Sequence, residues 1–164
     1  MSFKCDNQML SFSDLELSQK KTKNNTLNHL ETLDQSIQWD SIEAMLLENY
    51  PIGKKKKGPQ AYSPLMLLKC LLLRNWFQIP SDAALESLVN DRISFKKFAG
   101  LPVGEPAPSS STFSRFKNRL SLETCDMVMS DISDQLACQN IIIHMGLAMD
   151  IQIIKSDGPP ETRI

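Results

Sequence analysis

The 164-residue chain is poor in the residues that small folds use in place of a large core: four cysteines, two histidines, two tryptophans, two tyrosines and six glycines. Cys5, Cys70, Cys125 and Cys138 lie far apart, no C-x-x-C pair occurs, and His29 and His144 stand near none of them at ligand spacing. That distribution argues against a zinc site and against a disulfide scaffold. Cys70 and Cys125 fall at apolar helical positions, where a thiol serves as a small core hydrophobe in a reducing compartment. Long apolar runs are also missing. The longest, Leu65 to Leu73, is broken by Lys69 and falls well short of the ~20 residues a membrane-spanning helix needs. Residues 1–23 carry neither an apolar secretory core nor an acid-poor, Arg-rich transit pattern. A soluble, cytoplasmic chain without a membrane partner is the expectation. No nucleotide-binding glycine loop, G-x-S-x-G or H-E-x-x-H is present either, so no enzyme class built on those motifs is indicated.

What is there is ordinary in bulk and uneven in detail. Hydrophobic residues are 41% and charged residues 23%, as in globular proteins, and the length suits one domain, or one small domain with part of another. The net charge of -1 hides a strong asymmetry. From Pro51 to Leu120 twelve Lys and Arg face four Asp and Glu (+8), whereas residues 1–50 sum to -4 and residues 121–164 to -5. A basic middle segment points to a polyanion partner, or else to a solvated surface.

Along the chain, residues 1–25 show no regular apolar period and are expected to form a flexible arm. Helical spacing follows. Leu27, Leu30, Leu33 and Ile37 make one stripe. Asp40 with Glu43 has the form of a capping box, with Trp39 in front and Ile42, Met45 and Leu46 inward, and Pro51 sets the end near Asn49. Residues 52–61, with Lys54 to Lys57 between glycines, read as a basic loop. Ser63 and Pro64 start a central buried helix running to Phe77. Pro80 and Ser81 open a helix with Ala84, Leu85, Leu88 and Val89 inward, and Ser94 to Ala99 forms a short one that stops at Gly100, with Ile93, Phe95 and Phe98 as its apolar contacts. Three prolines make Pro102 to Ser110 a connector, and a helix begins after Ser111. From Ser121, Leu122, Cys125, Val128, Met129, Ile132 and Leu136 repeat at helical spacing until Gln139 and Asn140. The period then changes to β: Ile141 to Ile143, a break at Gly146, and a second strand from Leu147 to Ile154, before a loose tail over residues 156–164. A mainly α fold followed by the first strands of another unit is predicted.

Three constellations bear on chemistry. At ~100° per residue, Phe113, Phe116 and Leu120 share one helix face, with Thr112, Ser114, Arg115, Asn118 and Arg119 opposite and Lys117 on the border. Such a helix either docks against base edges and phosphates, as the recognition element of a helix-turn-helix variant does, or only shows its charges to water. Lys54, Lys55, Lys56 and Lys57 form a cluster suited to neutralising phosphates without reading sequence. Asp150 interrupts an apolar strand, where a carboxylate faces solvent together with Gln152 or holds a metal.

The runs YSPLMLLKCLLLRNWFQIPSDAALESLVNDRISFKKFAGLP, PSSSTFSRFKNRL and GLAMDIQIIKS, with LSFSDLELSQKKTKNN near the start, resemble the InsH-like DDE transposases of bacterial insertion sequences, in the insertion sequence five group. The resemblance covers nearly the whole chain in order and spacing. It implies a helical N-terminal domain over residues 26–139 that binds the terminal inverted repeats of the element as double-stranded DNA. An RNase H-like domain would follow, with three carboxylates holding Mg²⁺, and residues 140–155 would supply its first strands. Met149-Asp150-Ile151-Gln152-Ile153-Ile154 is similar to the strand carrying the first of those acids, so the resemblance makes Asp150 the first metal ligand; a small residue and a threonine usually stand where Ile151 and Gln152 are. The second Asp and the Glu have no counterpart within residue 164, and Asp157 and Glu161 do not replace them. The expectation is a transposase truncated after its first acid, holding no cofactor and cutting no strand alone, because two-metal catalysis takes carboxylates from several elements. The alternative is a helical interaction module that pairs with full-length transposase and inhibits it, or pairs with itself, through the Leu122 to Leu136 stripe.

Overall fold

The stripe of Leu30, Leu33 and Ile37 is fully buried, and it turns α1 (Asn25–Ser36) onto a helical body. The computed structural model describes Lys4 and residues 25–50, 60–145 and 151–155, with the backbone alone at 25, 144, 145 and 151–155. Next come α2 (Trp39–Asn49), α3 (Pro64–Trp76), α4 (Asp82–Asp91), α5 (Ile93–Ala99), α6 (Ser110–Arg119) and α7 (Leu122–Cys138). The strands β1 (Ile141–Met145) and β2 (Ile151–Lys155) pair antiparallel, with Ile143 opposite Ile153. The fold is mainly α, as the apolar periods predict.

The middle helix is α3. It packs against α2, α4, α5, α6 and β1, and Met66, Leu67, Leu68, Cys70, Leu72, Leu73 and Trp76 are buried around it. Its one lysine among apolar neighbours is accommodated by geometry. The Lys69 ammonium lies 4.3 Å from the Trp39 ring centroid and 5.4 Å from that of Phe98, and it donates to Asp34 Oδ1 at 2.7 Å. An aromatic face attracts a cation that would otherwise lose hydration, so Lys69 can sit in the seam between α2 and α5. Burial pushes the Cys70 thiol up to about 12, so it behaves as a hydrophobe and not as a nucleophile.

Helix ends follow local chemistry at several junctions. Pro64 occupies the first helical position after Ser63, and Ser81 Oγ accepts from Ala84 N at 3.1 Å. Gly100, at φ 76°, ends α5 with Gly100 N donating to Lys97 O and Leu101 N to Lys96 O, a pairing that needs the left-handed conformation glycine adopts freely.

Four expectations are corrected. Asp40 is no cap: α2 begins at Trp39, and Asp40 lies inside its first turn. The start of α2 is tied from a distance instead, since Gln135 Oε1 accepts from Gln38 N at 2.6 Å while Gln139 Nε2 donates to Ser36 O. One amide of α7 and one just past its end thus satisfy the α1–α2 junction that a local cap was expected to satisfy. Ile93 is 41% exposed and does not pack with Phe95 and Phe98. Leu122 is 84% exposed, at the start of α7 and outside the stripe of Val128, Ile132 and Leu136 that the body buries. Finally, α6 begins at Ser110, one to two residues earlier than its sequence suggests.

Candidate nucleic-acid interface

Phe113 and Phe116 are completely buried and fasten α6 to α3 and α4. Each buried aromatic contributes about 1.5–3 kcal/mol of transfer free energy, and Tyr50 adds an edge contact to Phe116 at 5.1 Å. The opposite side of the helix is polar. Arg115, Lys117, Asn118 and Arg119 are exposed, and Thr112 and Ser114 are half-buried. The structure therefore brings the six expected positions onto one helix, but it divides them into a ridge and two flanks.

One flank is bonded to α4. Ser114 Oγ donates to Asp82 Oδ2 at 2.8 Å, and Lys117 Nζ reaches both Asp82 oxygens at 2.9 and 2.7 Å. One turn along α4, Glu86 Oε2 accepts from Ser110 N at 2.7 Å, and a further turn along Asn90 Oδ1 accepts from Ala107 N at 2.9 Å. Asp82, Glu86 and Asn90 recur every four residues, so they share a face of α4. Together they hold α6 and its lead-in antiparallel at three points. Glu86 also places a carboxylate at the α6 N-terminus, where the unpaired N–H groups favour negative charge. Ser109, the residue before the helix, bonds its hydroxyl to those of Ser111 and Thr112 and caps no backbone N–H.

The other flank leans on α2. Burial pushes the Tyr50 phenol above its ordinary 10, and the Arg119 side chain at its hydroxyl draws it part of the way back. Between the flanks, Arg115 and Asn118 have no hydrogen-bond or ion-pair partner among the described residues. The outer ridge of α6 is thus a guanidinium and an amide with their donors toward solvent, and a second guanidinium beside them.

Electrostatics tighten the α4 flank. Burial alone would raise the Asp82 carboxyl, but Lys117, Ser114 and Arg74 outweigh it and hold the group below its ordinary 3.8. Arg74 Nη1 donates to Asp82 Oδ1 at 2.9 Å, while its other nitrogens reach the carbonyls of Ile79 and Pro80. The connector before α6 is held from beneath. Lys96 is only 7% exposed, and its ammonium donates to Val103 O and Glu105 O, both at 2.8 Å.

Sequence reasoning missed Asp82, Glu86, Asn90 and Lys96. The four-residue spacing of Asp82, Glu86 and Asn90 on α4 was visible, but a polar helix face is read as solvated until its neighbour is known. The cluster Lys54 to Lys57 and Asp150 lie outside the described residues, as do the tail and, apart from Lys4, residues 1–24. Among the described residues no group of three His, Cys, Asp or Glu could hold a metal ion, and none of their helices is long and apolar enough to cross a membrane.

The fold and this face define a mainly α helical body that presents one basic helix on a polar seam. Residues 15–119 match the family described as Transposase domain (DUF772); the match covers well over half of the chain, α1 to α6 included, and the chain belongs to that family. The family gives the chain a transposase-related function and implies interaction with DNA in general terms. No solved structure matches the chain.

Proposed function

We propose that the chain binds the terminal inverted repeats of an insertion sequence of the InsH-like group, with α6 as the element that meets the duplex. Arg115, Asn118 and Arg119 approach the groove, and Thr112, Ser114 and Lys117 border them. Lys54 to Lys57 neutralise phosphates. In this reading residues 26–139 are the DNA-binding unit, preceded by an arm, and residues 140–155 contribute the first strands of an RNase H-like domain. The resemblance finds a counterpart for one acid of three, Asp150, so these 164 residues by themselves are proposed to bind and not to cut.

The observation that carries the reading is the ridge itself. Arg115 and Asn118 stand exposed without protein partners among the described residues, on a helix whose inner face is buried and whose flank is bonded to α4. A guanidinium suits bidentate contact with guanine and an amide with adenine, each worth about 1–3 kcal/mol of discrimination. Replacing Arg115 and Arg119 together by alanine is expected to abolish the preference for repeat DNA over random duplex at fixed salt, measured by fluorescence anisotropy. Unchanged binding would mean that α6 is not the contact helix.

The pairing alternative draws on one observation. Leu122 stands over an apolar groove of about 360 Å³ lined by Leu68, Leu71, Leu120, Cys125 and Met129. Val128, Ile132 and Leu136 of the expected stripe are inside the body, so of that stripe it is the Leu122 end that remains open to pairing with a full-length transposase. Pairing through apolar burial persists at high salt, whereas phosphate contacts weaken steeply.

A further inference from the structure

The ion pair at the edge of the α6 ridge is unusual in its proportions. Asp82 is 13% exposed, yet it takes Lys117 with both oxygens, Arg74 with one and Ser114 with the other. Lys117, 37% exposed, precedes Asn118 of the ridge. A carboxylate ringed by a lysine, an arginine and a hydroxyl offers these groups what a backbone phosphate would offer them: anionic oxygens at hydrogen-bond distance.

We infer that Asp82 is an internal stand-in for a DNA phosphate, which occupies Lys117 in the free protein and limits the sequence-independent grip of α6 on any duplex. The inference rests on the proposed DNA-binding role of α6. Its physical content is a competition. A duplex phosphate must share Lys117 with a carboxylate 2.7 Å away or displace it, so much of the electrostatic gain from that lysine is already taken up within the protein. Arg74 is not released in the same way, because the carbonyls of Ile79 and Pro80 hold it as well. Positioning of α6 does not depend on the charge of Asp82 alone, since Glu86 and Asn90 hold Ser110 and Ala107 independently. A contact to phosphate carries no sequence information, so weakening this one lowers background binding while leaving base reading to Arg115 and Asn118.

The test measures the affinity of the full chain for a random-sequence duplex across a salt series. Asp82→Asn keeps an acceptor for Ser114 and removes the charge. It is expected to raise random-duplex affinity on the order of three- to tenfold at low salt and to steepen the plot of log K against log salt by about 0.9, the increment for one more neutralised phosphate. Asp82→Ser, which keeps a polar residue in the first turn of α4, is expected to do the same. Repeating the substitutions in a Lys117→Gln background is expected to remove the gain. Unchanged or weaker binding in variants that keep their helical signal overturns the inference, as does a gain that survives without Lys117. Loss of the helical signal in both variants would assign Asp82 a structural role alone and also overturn it. If the unaltered chain binds no duplex, or its binding ignores Arg115 and Arg119, the proposed function itself fails; if binding needs those arginines and ignores Asp82, only this inference does.

Discussion

Two seams hold the molecule together by different physics. Where α2, α3 and α5 meet, the contacts are rings: Trp39 and Trp76 lie 5.9 and 5.6 Å from Phe98, and Phe77 lies 4.8 Å from Phe95. Where α4 meets the outer flank of α6, the contacts are charges and amides recurring at each turn. Apolar packing stabilises strongly and tolerates small shifts in direction; hydrogen bonds contribute less and fix position along the helix. The helix proposed to meet DNA is held by both kinds at once, Phe113 and Phe116 beneath and the α4 ladder alongside.

Removing one ring and removing one rung separate the two contributions. Phe113→Ala opens a cavity where no side-chain surface reaches solvent and is expected to cost about 3–5 kcal/mol, read by urea unfolding; a smaller loss than at the polar seam would reverse the ranking. Asn90→Ala leaves Ala107 N without its acceptor, at an expected cost of about 1–3 kcal/mol in the same assay. The smallest effect is a pH dependence. Asp82 is held below 3.8 in the folded chain, so its stabilising contribution is present above that ordinary value and disappears as the pH falls through the lower folded-state value. Melting temperatures of the unaltered chain and of Asp82→Asn should differ near neutrality and converge in strong acid. A gap that stays constant on acidification would show that the charge contributes nothing.

Most of the body was legible because apolar spacing and end residues act locally. Ser81, Gly100 and Pro64 bound their helices, and Leu30, Leu33, Phe113 and Phe116 are buried as their periods require. The failures arose where a distant element replaced a local one. Gln135 satisfies Gln38 N, so the Asp40 and Glu43 pattern is not used as a cap, and the first turn of α7 carries Leu122 at 84% exposure while Val128, Ile132 and Leu136 pack, so a residue on the right stripe faces outward. The candidate site was legible as a face and illegible as an arrangement. Periodicity puts Arg115 and Asn118 on the outside, but only the packing of α4 on α6 reveals that Lys117 and Ser114 are engaged while those two are not.

The ladder on α4 meets residues 107, 110 and 114, intervals of three and four, with rungs four apart at 82, 86 and 90. One residue inserted or deleted between Ser110 and Ser114, inside the helix, would throw its partners out of phase and rotate the ridge by ~100° away from its direction. The segment is therefore free to change the identity of its outward side chains and constrained in its length: if α6 reads DNA as proposed, new target sequences are open to it by substitution and closed to it by indels within the helix.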